Sequence, residues 1–128
     1  MKNFKLSVIA LIALLSTSCV QKSYEREVTL LLNVANVKDI ETVGLRGKGK
    51  PLSWREDLAM NPIKKDSLYS ITFKCVTGYK FGEIKFVVNG ELELKEKPNR
   101  RIYYNETGTT IYEATYDVEK NKLFKTKN

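Results

Sequence analysis

The sequence predicts an all-β protein, an antiparallel β-sandwich of about seven or eight strands. Short segments alternate apolar and polar residues, which is the pattern of half-buried strands. Turn signals rich in glycine, asparagine and proline separate these segments at intervals of roughly 8–12 residues. No long segment shows the 3.6-residue apolar period of an amphipathic helix. Regular strand spacing without helices is typical of two packed sheets.

The clearest element is a hairpin centred on Asn89 and Gly90. Asn-Gly is a strong signal for a two-residue turn, because both central residues need positive φ. The implied register places Val87 opposite Leu92 and Lys85 opposite Leu94. It also divides the hairpin into two faces, with a core face formed by Ile84, Phe86 and Val88 and a second face formed by Lys85, Val87, Leu92 and Leu94.

The same alternation predicts the other strands. They are expected over residues 27–35, 42–46, 69–76, 81–88, 101–104 and 109–116. In the first of them, one face is wholly apolar and consists of Val28, Leu30, Leu32 and Val34. Cys75 alternates with Phe73 and Ile71, so it is expected in the core.

Residues 1–18 have the organisation of a signal peptide. Residues 1–5 are basic, and residues 6–15 form an apolar run that is too short for the ~20 residues of a membrane span. Small residues then precede Cys19. This arrangement resembles a bacterial lipoprotein signal, which implies an acylated Cys19 and a lipid-anchored protein of the cell envelope, with the outer membrane favoured. A plain secretory signal and a secreted protein are the alternative.

The remainder is long enough for one domain. Residues 19–26 are predicted to be a tether, residues 27–117 the sandwich, and residues 118–128 a basic tail. The chain of 128 residues carries a formal net charge of +7, which falls to +5 without residues 1–18. A lysine-rich surface of this kind most often serves solubility, and no nucleic-acid partner is expected.

No catalytic site, metal site or cofactor is predicted. The chain contains no histidine, which removes the usual general base and the usual metal ligand. The carboxylates are expected on solvated faces rather than in the apolar settings that acid–base catalysis requires; they include Glu56, Asp57, Glu91, Glu93 and Glu96. A non-enzymatic function is therefore predicted.

Trp54 is the only tryptophan, and its neighbours in sequence are polar. A sandwich tryptophan usually lies in the core, but it then normally belongs to an alternating strand. An exposed loop tryptophan can instead stack on sugar rings or contact a partner protein. The pattern alone leaves both interpretations open.

Several motifs occur in a particular order. They are Val-Gly-Leu-Arg-Gly at 43–47, Pro-Leu-Ser-Trp at 51–54, Tyr-Ser-Ile-Thr-Phe at 69–73, Phe-Gly-Glu-Ile-Lys-Phe at 81–86 and Pro-Asn-Arg at 98–100. Their order and spacing resemble the starch-binding domains of carbohydrate-binding module family 20. The Asn-Gly hairpin is similar to that of the related glycogen-binding domains. The resemblance covers residues 27–117.

The resemblance implies an immunoglobulin-like sandwich that binds α-1,4-glucan without catalysis. Trp54 would stack on a glucose ring, while Lys85 and Asn99 would form hydrogen bonds to sugar hydroxyls. The family's second tryptophan corresponds here to Leu94 or Leu92, depending on the direction of counting. The leading expectation is therefore a glucan-binding lipoprotein.

The alternative is a sandwich with a degenerate sugar site that binds another protein through the Leu92/Leu94 face. The two functions require different surfaces. Glucan binding requires an exposed Trp54, whereas a protein-interaction module requires an exposed aliphatic patch.

Overall fold

The computed structural model describes residues 22–119, and these residues form nine strands and no helix. The all-β sandwich predicted from the sequence is confirmed. Two of the nine strands are only two residues long, which is too short for an alternating pattern to reveal. The strands are β1 (Tyr24–Asn33), β2 (Val43–Gly47), β3 (Leu58–Ala59), β4 (Asn61–Lys64), β5 (Leu68–Thr77), β6 (Phe81–Val88), β7 (Glu91–Leu92), β8 (Arg100–Tyr103) and β9 (Thr110–Thr115).

Two sheets contain these strands. The first sheet has the order β4-β5-β1-β9, and the second has the order β3-β2-β6-β7, with β8 also paired to β6. Strands β1 and β9 are parallel, whereas the other described pairs are antiparallel. Among the described residues, no helix is long and apolar enough to cross a membrane.

The core lies between the inner faces of the two sheets. The predicted apolar face of the first strand is completely buried and consists of Val28, Leu30 and Leu32 of β1 and Val34 just beyond its end. Ile84, Phe86 and Val88 of β6 pack into the same cluster. Successive side chains of a strand point to opposite faces, so the alternation in the sequence identified the core face of both strands correctly.

The central hairpin also forms as predicted. Asn89 and Gly90 have φ values of 53° and 76°, as a type I′ turn requires. Val87 pairs with Leu92 as expected. The side chain of Asn89 adds a second function, because its Oδ1 accepts hydrogen bonds from the backbone N–H groups of Glu41 at 2.7 Å and Thr42 at 3.2 Å. The turn is thereby tied to the segment that leads into β2.

The predicted pairing of Lys85 with Leu94 is wrong, because the ladder ends before Leu94. The last ladder-like contact is the hydrogen bond from the Glu93 N–H to the Phe86 carbonyl at 3.0 Å. Leu94 then adopts a φ of 51°, in the left-handed region that bulky residues rarely occupy. The chain consequently turns away from β6.

The tether boundary also shifts. Strand β1 begins at Tyr24, which pairs with Thr77 of β5. Residues 24–26 therefore belong to the sheet, because the long strand β5 provides backbone partners for them. The predicted signal peptide at residues 1–18, the lipidation site Cys19 and the tail beyond residue 119 lie outside the described residues.

Candidate functional site

Trp54 lies in the loop between β2 and β3, with 37% of its surface exposed. The guanidinium of Arg46 in β2 organises this loop. Its Nη1 donates to the Trp54 carbonyl at 3.4 Å, and its Nε donates to Asp57 Oδ1 at 2.5 Å. Of the two interpretations of Trp54 that the sequence left open, the structure shows the exposed one.

The strand register brings two of the three predicted sugar-binding positions, Lys85 and Asn99, near Arg46 on the second sheet. Arg46, which holds the Trp54 backbone, pairs with Lys85 of β6. Arg100 of β8 pairs with Ile84 at the end of the β6–β8 ladder, so Asn99 lies just beyond the ladder, near the level of Lys85. With neighbouring strands about 4.8 Å apart, the line from Arg46 through Lys85 to Asn99 spans only about 10 Å.

The ammonium group of Lys85 is nevertheless committed to other contacts. Lys85 is only 7% exposed. Its Nζ donates to the carbonyl of Leu94 at 2.8 Å and to the carbonyl of Lys97 at 3.0 Å. These bonds close the turn that follows β7. Lys85 therefore acts as a positioning residue for this turn, in contrast to the direct sugar contact predicted for it.

Asn99 is exposed at the end of the same turn. The chain is anchored on both sides of it, by the Lys85 contact at Lys97 and by the buried side chain of Arg100. A short loop that is anchored at both ends keeps its exposed side chains in a defined position. The sequence prediction for Asn99 is compatible with this geometry.

The Leu92/Leu94 face is not an exposed aliphatic patch. Leu94 is 4% exposed and Leu92 is half-buried. The Leu94 N–H donates to Asp117 Oδ1 at 2.8 Å, while its carbonyl accepts from Lys85. The turn at Leu94 is therefore held from both sides, and its side chain packs inward.

Glu93 is the main buried polar group that the sequence analysis missed. It was expected on a solvated face, but it is 1% exposed. Its carboxylate forms a bidentate pair with Arg100, with Oε1 to Nη2 and Oε2 to Nε both at 2.7 Å. The signal was present in the hairpin register, since Glu93 falls opposite Phe86 on the core face.

The Glu93–Arg100 pair also satisfies backbone groups around it. Glu93 accepts hydrogen bonds from the N–H groups of Phe86 at 2.8 Å and Asp117 at 3.1 Å. Arg100 Nη2 donates to the carbonyls of Thr115 at 3.0 Å and Val118 at 2.9 Å. Burial lowers the pKa of Arg100, but the hydrogen bonds and charges of Glu93 and, to a smaller extent, Tyr112 together outweigh this effect, and the pKa is raised overall. The pair joins the second sheet to the end of β9.

A larger concavity, here called the end cleft, lies where β5 ends and β6 begins. It has a volume of about 900 Å³ and is lined by the end of β5, the start of β6, Tyr104 and the loop 48–51. Cys75, which was expected in the core, is instead half-buried in this cleft, with its Sγ 4.0 Å from the Tyr104 hydroxyl. Burial raises the pKa of Tyr104 to about 12. No local pattern reveals the end cleft, because its walls are distant in sequence.

A scan against models of protein families gives no match for this chain. A search of curated protein sequences gives no match either. The functional argument therefore rests on the fold and on the geometry of its surfaces.

Proposed function

We propose that this protein is a non-catalytic binder of starch- or glycogen-type α-glucan, held at a bacterial envelope membrane by an acylated Cys19. The observation that carries the proposal is the exposure of Trp54 beside the polar groups of the second sheet. The resemblance of the chain to starch-binding domains of carbohydrate-binding module family 20 supports the same ligand class.

The chemistry around Trp54 suits a sugar. An exposed indole can stack on the apolar face of a glucose ring, which contributes about 0.5–1.5 kcal/mol beyond the area buried. The Arg46–Asp57 pair next to it has side chains that are about one-third exposed, so both can exchange hydrogen bonds with hydroxyls. Asn99 supplies an amide donor and acceptor from the other side of Lys85.

The protein-interaction alternative has less support. It requires an exposed aliphatic surface, and Leu94 is almost completely buried.

Since one aromatic platform replaces the two of the starch-binding family, we expect weak glucan binding, with a Kd on the order of 1 mM.

The position of Lys22 bears on how the anchor would orient the sandwich. Its carbonyl oxygen lies against Gly78, where an added Cβ would come within 2.9 Å of it. The residues between Cys19 and Lys22 span at most about 10 Å when extended. Acyl chains on Cys19, at about 0.8 kcal/mol per buried CH₂, would therefore hold the β5–β6 end of the sandwich close to the bilayer.

Replacement of Trp54 by alanine is expected to weaken glucan binding at least tenfold, because the stacking platform is lost. The experiment uses a protein of residues 20–128, which contain all nine strands and the hydrophobic core. Isothermal titration with maltoheptaose and β-cyclodextrin measures the affinity, and an amylose column measures retention. In the unsubstituted protein, the fluorescence of the single tryptophan should change saturably with either ligand.

Tyr79→Ala is the matched control, since Tyr79 is a large exposed aromatic residue on a different surface. It is expected to retain full glucan binding. The glucan proposal fails if the unsubstituted protein shows neither a fluorescence change nor column retention at millimolar ligand. Equal loss in both variants would also contradict it, because the effect would then not be specific to Trp54.

A further inference from the structure

The end cleft has the properties of a ligand-binding site that is separate from the Trp54 surface. Its volume of about 900 Å³ falls within the ~300–1,000 Å³ of typical small-molecule pockets. None of the residues proposed to contact glucan lines it. A ligand in this cleft would therefore be bound independently of the glucan.

The surface of the end cleft is largely apolar. Val76 and Tyr79 are 70% and 64% exposed, although both side chains favour burial. Phe81, Tyr104 and Pro51 complete the apolar surface. Gly82 allows this arrangement, because a Cβ at that position would collide with the Tyr104 hydroxyl at 2.3 Å. Apolar surface left open to water in a concave site is typical of a binding cleft.

At the rim of the end cleft, the acidic side chains have ion-pair partners but two of the lysines do not. The two acidic residues of the lining have basic partners, with Glu25 3.7 Å from Lys74 and Glu83 3.6 Å from Arg101. Lys48 and Lys50 of the loop 48–51 also line the cleft, and no carboxylate of the described residues lies within 4.0 Å of either ammonium group. The Nζ of Lys48 instead lies 5.2 Å from the centre of the Tyr79 ring. The loop 48–51 therefore adds positive charge that no ion pair neutralises, next to apolar surface.

We propose that the end cleft binds a long-chain fatty acid. The alkyl chain contacts the apolar surface of Val76, Tyr79 and Phe81, and the carboxylate interacts with the ammonium groups of Lys48 and Lys50. The combination favours an amphipathic anion over simpler ligands. A small inorganic anion leaves the apolar surface in water, and a neutral apolar molecule gains nothing from the two exposed lysines. A fatty acid matches both features.

Dodecanoate is a suitable probe, and Cys75 is a built-in reporter. In residues 20–128, Cys75 is the only cysteine, and it lines the end cleft. Dodecanoate at concentrations below micelle formation is expected to slow alkylation of Cys75 saturably. Because each buried methylene adds up to roughly fourfold in affinity, decanoate should bind several-fold more weakly than dodecanoate, and acetate should give no protection.

The double variant Lys48→Gln/Lys50→Gln tests the charge requirement. It is expected to weaken dodecanoate binding at least tenfold, by protection of Cys75 and by isothermal titration. Lys64→Gln/Lys65→Gln is the matched control, since it removes two adjacent exposed lysines outside the end cleft and should bind normally. Thermal melts of both variants check that the fold is retained.

Three outcomes would overturn the fatty-acid proposal. If dodecyltrimethylammonium protects Cys75 as well as dodecanoate does, charge is not recognised. If Lys48→Gln/Lys50→Gln binds dodecanoate as tightly as the control variant, the two lysines do not hold the carboxylate. If the protein binds vesicles containing phosphatidylglycerol while free dodecanoate gives no protection, the end cleft is a bilayer contact. None of these results bears on glucan binding through Trp54, which is tested independently.

Discussion

Replacement of Glu93 by alanine is expected to lower the free energy of unfolding by about 3–5 kcal/mol, the usual cost of removing one partner of a buried ion pair. The substitution leaves the guanidinium of Arg100 without its bidentate partner in a site where Arg100 is also almost fully buried. It also removes the acceptor for the N–H groups of Phe86 and Asp117. Urea unfolding, followed by circular dichroism, measures the loss.

Glu91→Ala is the control, two residues earlier in the chain, in β7. Glu91 forms an exposed ion pair with Lys95 at 3.0 Å, and such pairs contribute only about 0–1 kcal/mol. A Glu93→Ala variant as stable as Glu91→Ala would contradict the structural role assigned to the buried pair. Replacing both partners, as in Glu93→Leu with Arg100→Met, should remain destabilising, because the surrounding backbone groups would still lack partners.

The parts of the fold that depend on local sequence could be predicted. The Asn89-Gly90 turn requires positive φ at two adjacent residues, and few sequences other than Asn-Gly satisfy this requirement. The core faces of β1 and β6 follow from the two-residue period of a strand. Both signals lie within a few residues of the structure that they specify, so no knowledge of the rest of the chain was needed.

Lys85 shows where local sequence becomes insufficient. Its role depends on the turn that begins at Leu94, where a leucine adopts positive φ because contacts from Lys85 and Asp117 hold it there. A lone lysine on a strand face has the same local pattern whether its ammonium group meets solvent, a ligand or a distant carbonyl.

Of the two candidate sites, one could be recognised in the sequence and the other could not. Trp54 stood out in the sequence as the only tryptophan, among polar neighbours, and the structure shows that it is 37% exposed. The end cleft had no such signal, because it forms only when the loop 48–51 approaches the start of β6. The hydrogen bond from the Lys48 N–H to the Glu83 carbonyl at 3.1 Å joins these segments. Sequence alone therefore left an exposed Trp54 as one of two interpretations and showed no sign of the concavity.

Replacement of Lys85 by methionine is expected to destabilise the protein by about 2–4 kcal/mol, because two hydrogen bonds from a charged donor to the Leu94 and Lys97 carbonyls are lost. The Leu94 carbonyl retains the hydrogen bond from the Lys97 N–H at 3.1 Å. Methionine retains an apolar side chain of similar length, so the packing of the aliphatic part is largely preserved. The Leu94–Lys97 turn should loosen, and hydrogen exchange of its backbone amides should become faster. Glucan affinity should fall only indirectly, because the loosened turn no longer holds Asn99 in a fixed position.

Measuring stability, hydrogen exchange and glucan affinity together distinguishes a positioning residue from a residue that contacts the sugar directly. If Lys85 contacted sugar hydroxyls, Lys85→Met would weaken glucan binding while stability and hydrogen exchange stayed unchanged, and that result would contradict the role assigned here. Lys95→Met is the control within the same turn, since Lys95 is exposed and, among residues 22–119, forms an ion pair only with Glu91. It should change stability by less than about 0.5 kcal/mol. Asn99→Ala completes the comparison, because a direct contact at Asn99 predicts weaker glucan binding without a loss of stability.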